Sequence, residues 1–230
     1  FPYTTLFRSA YRLVSGEGGV APGALVAPEA PGKAAALLAQ GHAALAAPFA
    51  ASQAQARLYF EAAVREAPGW APAHVGLAEA LAAQHVSGPG AGLMAAARAS
   101  AHAAVGLDAQ LAQAWSILGL VTLLADRDFA SADQALRRAV ALDPALASAH
   151  RHRAFAFAAT GRFVEAEREG RKAVDLEPVS LAARGGLLQI LLTARRYRQA
   201  IAAAGEALAL SPLSSEGWYA KGWAHVLSGD

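Results

Sequence analysis

Three dipeptides that end in proline recur at a fixed spacing in the second half of the chain and constrain its fold more than any other feature. They are Asp143-Pro144, Glu177-Pro178 and Ser211-Pro212, so that successive prolines stand 34 residues apart. Proline disfavours the helical conformation of the residue before it, and each dipeptide therefore predicts the end of a helix. A regular period of this length is typical of an array of stacked units rather than of a single globular core.

Within one period, large and small residues recur at set positions of two predicted helices. The first helix of the unit that ends at Pro144 carries Trp115 and Gly119. The second helix carries Ala132 and Leu136. Small residues allow two helices to approach closely, while large residues fill the space around their crossing. One such pair cannot bury its own apolar face, so neighbouring pairs must stack.

This arrangement resembles the tetratricopeptide repeat (TPR), whose pattern is Trp-x2-Leu-Gly-x2-Tyr, then Ala-x3-Phe, then Pro. The resemblance implies an all-α fold in which helix–turn–helix repeats stack into a right-handed superhelix. We predict repeats at 34–70, 71–111, 112–146, 147–180 and 181–214, and a partial repeat at 215–230. The surplus residues of the second repeat fall in His85–Gly92, where Ser87-Gly88-Pro89-Gly90 predicts a loop.

The two ends of the chain do not resemble natural ends. Residues 1–9 match the translation of a common sequencing adapter, the alternative being a genuine aromatic strand. Residues 10–33 are rich in Gly, Pro, Ala and Val, which predicts a linker or a disordered segment. The uncharged stretch 34–51 is mostly Ala and contains Pro48, so it predicts a soluble helix followed by a break rather than a membrane span. We expect the chain to be an internal fragment of a longer protein.

Composition excludes several classes of function. The chain has 20 basic and 18 acidic residues, so its net charge of +2 indicates no strong field for nucleic acid or anionic membranes. Cysteine is absent, which excludes a disulfide framework, a thiolate nucleophile and a cysteine metal site. The abundance of Ala, the absence of Asn and the scarcity of Lys indicate a bacterial genome of high GC content.

The histidines do not form a recognisable metal or catalytic site. His150 and His152 are two residues apart on a predicted helix and therefore point to different faces. His74 and His150 occupy the large packing position at which Trp115 and Trp218 stand in other repeats. No Ser–His–Asp arrangement and no glycine-rich phosphate loop is legible in the sequence. We therefore predict a non-catalytic protein with no metal site and no cofactor.

Two further sequence features are candidates for a ligand-binding site, but both favour a structural role. Gly185-Gly186 lies inside a predicted helix, where it either permits close packing or loosens the repeat. The basic residues of 151–172 are interleaved with acidic residues of 165–177, which is typical of a solvated face rather than a nucleic-acid patch.

The TPR resemblance implies a ligand site in the concave groove that the first helices line. The groove positions carried over from the family are Glu79, Gln113, Leu120, Arg151, Phe155, Gln189, Tyr219 and Trp223. Because these positions include neither Asn nor Lys, the carboxylate clamp of some TPR co-chaperones is excluded. A mostly apolar groove with a few polar anchors suits an extended or helical peptide. The alternative for each residue is ordinary surface or packing between repeats.

Four stretches of the chain resemble the repeat arm of bacterial winged-helix transcriptional regulators, and TPR-bearing kinases and nucleotide cyclases are similar. They are LDAQLAQAW, FASADQALRRAVALDPALASAH, GRFVEAEREGRKAVDLEPVS and ARRYRQAI, within residues 52–230. The resemblance implies a protein–protein interaction scaffold that forms the arm of a larger bacterial regulatory protein. The alternatives are an accessory domain of a kinase or cyclase, and a free-standing adaptor in envelope or secretion assembly. We expect a protein or peptide partner in the groove, without nucleic-acid binding or membrane insertion by this segment. The sequence does not determine the compartment; the cytoplasm is favoured and the periplasm is the alternative.

Overall fold

The computed structural model describes residues 32–45, 50–87, 92–212 and 214–229. The predicted adapter segment 1–9 and the linker up to residue 31 lie outside these ranges. Every regular element within them is an α-helix, which confirms the all-α prediction. The helices are α1 Gly32–Leu45, α2 Ala50–Glu66, α3 Ala71–Ser87, α4 Leu93–Leu107, α5 Ala112–Asp126, α6 Phe129–Leu142, α7 Ala147–Ala159, α8 Phe163–Leu176, α9 Leu181–Thr193, α10 Tyr197–Leu210 and α11 Ser215–Ser228.

Each odd-numbered helix packs against the even-numbered helix that follows it, from α1 with α2 to α9 with α10. Each even-numbered helix also packs against the next odd-numbered helix, so the pairs stack in chain order. The last described helix, α11, packs on α9 and α10. The apolar face that one pair leaves open is thus buried by the next pair, as the period predicts.

In two of the described helix pairs a glycine of one helix faces a large side chain of the other. A Cβ atom on Gly41 of α1 would lie 2.4 Å from Cε1 of Phe60, and one on Gly119 of α5 would lie 2.6 Å from Cγ of Leu136. Glycine is therefore required opposite each of these large residues, which confirms the predicted crossing at Gly119. The corresponding positions of the five pairs are Gly41 and Phe60, Ala78 and Ala101, Gly119 and Leu136, Ala154 and Gly170, and Leu188 and Ala204.

A second recurring contact anchors the start of the odd-numbered helices from α3 onward. The fourth residue of each predicted repeat donates a side-chain N–H to the backbone carbonyl oxygen six residues upstream. The bonds join His74 Nε2 to Pro68 (2.8 Å), Trp115 Nε1 to Ala109 (2.9 Å), His150 Nε2 to Pro144 (3.0 Å), Arg184 Nε to Pro178 (2.9 Å) and Trp218 Nε1 to Pro212 (3.0 Å). Imidazole, indole and guanidinium groups all supply this donor, so the residue type varies while the bond is kept.

The helix ends differ from the sequence prediction at two described places. Gly32 and Lys33, the last residues of the predicted linker 10–33, already belong to α1. Helix α3 continues to Ser87, so the first three residues of the predicted loop His85–Gly92 are helical. No helix-breaking residue precedes Gly88-Pro89, and the chain therefore stays helical up to that dipeptide. Gly92, where α4 begins, has a φ of 84°, the left-handed conformation that glycine adopts without strain.

Candidate functional site

The odd-numbered helices form a continuous layer along the array. Each of them, from α1 to α11, contacts the next odd-numbered helix as well as its even-numbered neighbours. The helices on the inner side of a curved stack lie closer together than those on its outer side. The odd-numbered helices are therefore the inner layer, and their exposed side chains line the surface on which the sequence places the groove.

The structure places five of the eight predicted groove residues at one equivalent position of successive inner helices. They are Glu79, Leu120, Phe155, Gln189 and Trp223. Leu120 is only 1 % exposed and Phe155 only 4 % exposed, and both belong to the main hydrophobic core. Gln189 is buried and donates from Nε2 to Oγ1 of Thr193, 3.3 Å away. These three side chains therefore pack between inner helices and form the floor of the surface.

The other predicted residues remain accessible to different degrees. Glu79, Gln113 and Arg151 are half-buried, whereas Tyr219 and Trp223 are exposed. The two aromatic rings lie on α11 with their centroids 6.0 Å apart in an edge-to-face arrangement. Such a pair offers a large, rigid contact area at one end of the inner layer.

The carboxyl group of Glu79 lies in a desolvated part of the inner layer. Burial raises its pKa above the ordinary value, while the positive charges of His42 and Arg151 act in the opposite direction. The charge of this carboxylate is thus incompletely compensated by the described residues. A ligand that brings an N–H donor or a positive charge would stabilise its ionised form.

A buried polar chain links Arg151 to helix α5. Oγ of Ser116 lies 2.8 Å from Nδ1 of His152, and Nη2 of Arg151 lies 3.4 Å from Nε2 of the same ring. Burial, followed by the charge of Arg151, holds the pKa of His152 well below its ordinary value, although the hydrogen bond to Ser116 raises it. The imidazole is therefore neutral, and it orients Arg151 as a fixed part of the inner layer.

The contact between Ser116 and His152 could not be predicted from the repeat pattern, because the two residues occupy neighbouring rather than equivalent positions of their helices. The predicted roles of Gly185-Gly186 were close packing or loosening of the repeat. A Cβ atom on Gly186 would lie 3.1 Å from Cγ of Arg151 and 3.5 Å from Cζ of Phe155. Gly186 thus provides the space in which the aliphatic part of Arg151 and the ring of Phe155 pack.

The locally basic middle of the array consists largely of ion pairs. Arg162 pairs with Glu165, and Glu167 pairs with both Arg171 and Arg196. These contacts confirm the interleaving of charges that the sequence indicates. The Arg162–Glu165 pair is largely exposed and contributes little to stability. Together the three pairs leave the face nearly neutral.

Neither a metal site nor a membrane span is found in the described ranges. No group of three or more His, Asp or Glu side chains in them is arranged to hold a metal ion. None of the helices between residues 32 and 229 that the structure describes is both long and apolar enough to cross a bilayer.

Comparison with known protein families finds no match, and comparison with curated proteins finds none either. Solved structures do resemble the chain. The thermophilic TPR protein TTC0263 of Thermus thermophilus superposes with a TM-score of 0.70 at 21 % identity, over 84 % of this chain and 99 % of that one. The chain therefore has the TPR fold, an all-α repeat solenoid.

Two larger assemblies contain the same architecture. Cut9–Hcn1, a hetero-tetramer of the APC/C, gives a TM-score of 0.65 at 19 % identity over 99 % of this chain. Human IFIT1, solved as a dimer with m7Gppp-AAAA, gives 0.70 at 15 % identity over 85 % of this chain. The chain spans only 42 % of the length of the first protein and 46 % of the second.

Proposed function

We propose that this chain is a non-catalytic protein–protein interaction scaffold that binds an extended or helical peptide along its inner layer. The observation that carries the proposal is the Glu79 carboxylate, which lies desolvated in a layer that also carries the exposed aromatic pair Tyr219 and Trp223 of α11. Repeat solenoids present extended concave surfaces, along which a peptide can bind in an elongated conformation.

The polar groups of the layer define how a peptide would be held. The side chain of Gln113 is half-buried, and its amide would hydrogen-bond the backbone of a bound peptide. Glu79 is a second acceptor, one that favours an N–H donor or a basic side chain. Tyr219 and Trp223 would bind an apolar or aromatic side chain, because aromatic anchors contribute most of the binding energy in many interfaces.

The test begins with the selection of binders from a phage-displayed library of random peptides. Affinities of the selected peptides are then measured for the wild type, for Glu79→Gln and for the double variant Tyr219→Ala/Trp223→Ala. We expect each variant to weaken binding at least about tenfold, equivalent to about 1.4 kcal/mol. Phe155→Ala is unsuitable, because Phe155 lies in the core and its truncation would cost about 3–5 kcal/mol of stability.

Val179→Ala is the matched control, because Val179 is exposed and lies between α8 and α9, away from the inner layer. Peptides that bind all the variants as tightly as the wild type would place the contact elsewhere and contradict the proposal. Circular dichroism of each variant shows whether the fold is retained.

We further propose that the scaffold is the arm of a larger bacterial regulatory protein, on the basis of the resemblance to winged-helix regulators. The same arm would serve a kinase or a nucleotide cyclase as an accessory domain, and a free-standing adaptor in envelope or secretion assembly is the third candidate. Sequencing the genomic locus beyond both ends separates them. A winged-helix domain in the same reading frame supports the regulator, and a kinase or cyclase domain replaces it.

A peptide is favoured over nucleic acid because the basic side chains of the middle repeats are paired with carboxylates. Human IFIT1, which shares the fold, was solved with a capped RNA, so m7Gppp-AAAA is the appropriate probe. We expect no saturable binding of this oligonucleotide at moderate salt. Tight binding that weakens steeply with salt would instead assign the inner layer to nucleic acid.

A further inference from the structure

A cavity of about 280 Å³ lies between the outer helices α8 and α10, above α9. Its apolar wall consists of Val174, Leu187 and Ala203, which belong to one hydrophobic cluster. Helices α7 and α11 pack on either side of these three helices, so the cavity lies within the array. Pockets for drug-sized ligands have about 300–1,000 Å³, and a slightly smaller cavity suits a single long side chain.

The preceding repeat fills the equivalent space with its own side chains. The fourth and fifth repeats are offset by 34 residues, so Ala203 corresponds to Glu169 and Leu187 to Arg153. Glu169 is buried, and its Oε1 lies 3.5 Å from Nη1 of Arg153. In the fifth repeat alanine is much smaller than glutamate and leucine carries no charge. The substitution of this ion pair therefore opens the cavity and leaves its wall apolar.

The charged groups at the rim of the cavity favour a cation. The cavity is lined by the carboxylates of Asp175 and Glu206 and by the guanidinium of Arg171. Arg171 already pairs with Glu167, 2.9 Å away, and Glu206 with Arg184, 3.0 Å away. Asp175 forms no ion pair within the part of the chain that the structure describes. A positive group in the cavity is thus attracted to Asp175, whereas a carboxylate is repelled.

We propose that this cavity binds an arginine side chain of a partner protein. The aliphatic part of the arginine packs against Val174 and Leu187, and its guanidinium donates to the carboxylate of Asp175 and to the amide oxygen of Gln199, which also lines the cavity. A guanidinium presents several N–H groups in one plane, so it can bond to two acceptors at once. The site is on the outer side of the array and does not depend on the function proposed for the inner layer.

The probe is N-acetyl-L-arginine amide, which has the side chain of arginine without charged termini. The methyl signals of Val174, Leu187 and Ala203 in the isotope-labelled full chain report its binding by NMR. We expect these signals to shift saturably with a Kd of about 1–10 mM, as suits a ligand of this size. N-acetyl-L-citrulline amide has nearly the same shape but no charge, and it should bind at least about fivefold more weakly, because it loses the attraction of Asp175.

Two variants test the geometry with the arginine probe. Asp175→Asn removes the unpaired carboxylate and should weaken binding about fivefold, and Ala203→Leu fills the cavity and should abolish the saturable shifts. Glu177→Gln is the control for charge, because Glu177 lies two residues beyond Asp175 and does not line the cavity. Ala209→Leu is the control for size, because Ala209 is exposed on the same helix outside the cavity. Both controls should bind as the wild type does.

Three results would overturn the proposal. The first is the absence of a saturable shift of the three methyl signals. The second is equal affinity for the citrulline probe, which would show that the cavity does not select a charge. The third is binding that Asp175→Asn and Ala203→Leu leave unchanged while circular dichroism shows both variants folded. The test of the inner layer uses other residues, so either proposal can fail while the other stands.

Discussion

Nδ1 of His150 lies 2.7 Å from Oε2 of Glu169, and both side chains are almost fully buried. The other ring nitrogen of His150 lies 3.0 Å from the carbonyl oxygen of Pro144. Each ring nitrogen of His150 therefore faces an oxygen that can accept a hydrogen bond. Burial would raise the pKa of Glu169, but the hydrogen bond from His150 and the charge of Arg153 hold it below its ordinary value.

Replacement of His150 and Glu169 by the residues that stand at the corresponding positions of the preceding repeat should leave the fold intact. Trp115 and Ala135 occupy the corresponding positions of the third repeat. Glu169→Ala alone should cost about 3 kcal/mol, because it leaves a buried donor without its partner. The double variant His150→Trp/Glu169→Ala should recover most of that loss, since an apolar pair is often as stable as a buried ion pair.

Urea denaturation at pH 7 measures the free energy of unfolding of the wild type and of both variants. A double variant that is as unstable as Glu169→Ala would show that the fourth repeat requires the ion pair itself.

Acid should weaken the fold through His152. Its pKa is lowered in the folded state, so below its ordinary value the unfolded chain takes up a proton that the folded chain does not. The contribution of neutral His152 to the free energy of unfolding is complete above about pH 6.5. It declines as the pH falls, by about 1–2 kcal/mol between pH 7 and pH 5. The double variant Ser116→Ala/His152→Phe, which replaces both partners, should remove most of this dependence.

The measurement is a series of denaturation curves between pH 5 and pH 7. His102→Gln is the control, because His102 is exposed and its replacement should leave the pH profile unchanged. A profile that the double variant retains in full would assign the titration to another group.

Alanine at Gly119 should destabilise the protein although alanine is the better helix former. Its Cβ would lie 2.6 Å from Cγ of Leu136 and 3.1 Å from the backbone oxygen of Ala132, so the two helices must move apart. We expect a loss of about 1–3 kcal/mol. Gly205→Ala meets no described atom within 4 Å and should instead gain about 0.5–1 kcal/mol. Thermal and urea unfolding of the two variants provides the comparison. Equal changes in the free energy of unfolding would refute the close approach of α5 and α6 at Gly119.

Arg195 adopts the left-handed conformation with a φ of 58°, at the turn position where the preceding repeat has Gly161 with a φ of 77°. A side chain in this conformation costs about 1 kcal/mol, which glycine avoids. Arg195→Gly should therefore stabilise the chain by about that amount, and Gly161→Arg should destabilise it. The free energies of unfolding of the wild type and of both variants test these two predictions. Destabilisation by Arg195→Gly would show that the arginine side chain makes a contact that outweighs the strain.

Local rules were enough to predict the crossing at Gly119 and the packing role of His74 and His150. Each depends on a residue type at a set position of a short repeat, and the same local geometry recurs in every unit. The predicted loop His85–Gly92 was too long by three helical residues, because the position of a helix end among weak signals is decided by small differences in free energy.

The candidate groove was less predictable. For each groove residue the alternatives were a ligand contact, ordinary surface or packing between repeats, and the equivalent positions differ: Leu120 and Phe155 are buried while Trp223 is exposed. How deeply such a position lies depends on how closely the neighbouring inner helices approach. That distance is set by residues of other repeats, such as Gly186 beneath Arg151 and Phe155. The assignment of the groove residues to a ligand stays a prediction.

The sequence by itself determined the all-α repeat architecture, because the period, the prolines and the small residues act within one helix pair or between adjacent pairs. Only the tertiary structure decided which side chains remain available to a partner. It placed Leu136 of α6 against Gly119 of α5, and it buried Leu120 and Phe155 between inner helices while Glu79 and Arg151 stay half-buried. The physical reason is that a side chain is buried only when a second surface packs against it. A residue's position in the repeat specifies the first surface and leaves the second to the rest of the structure.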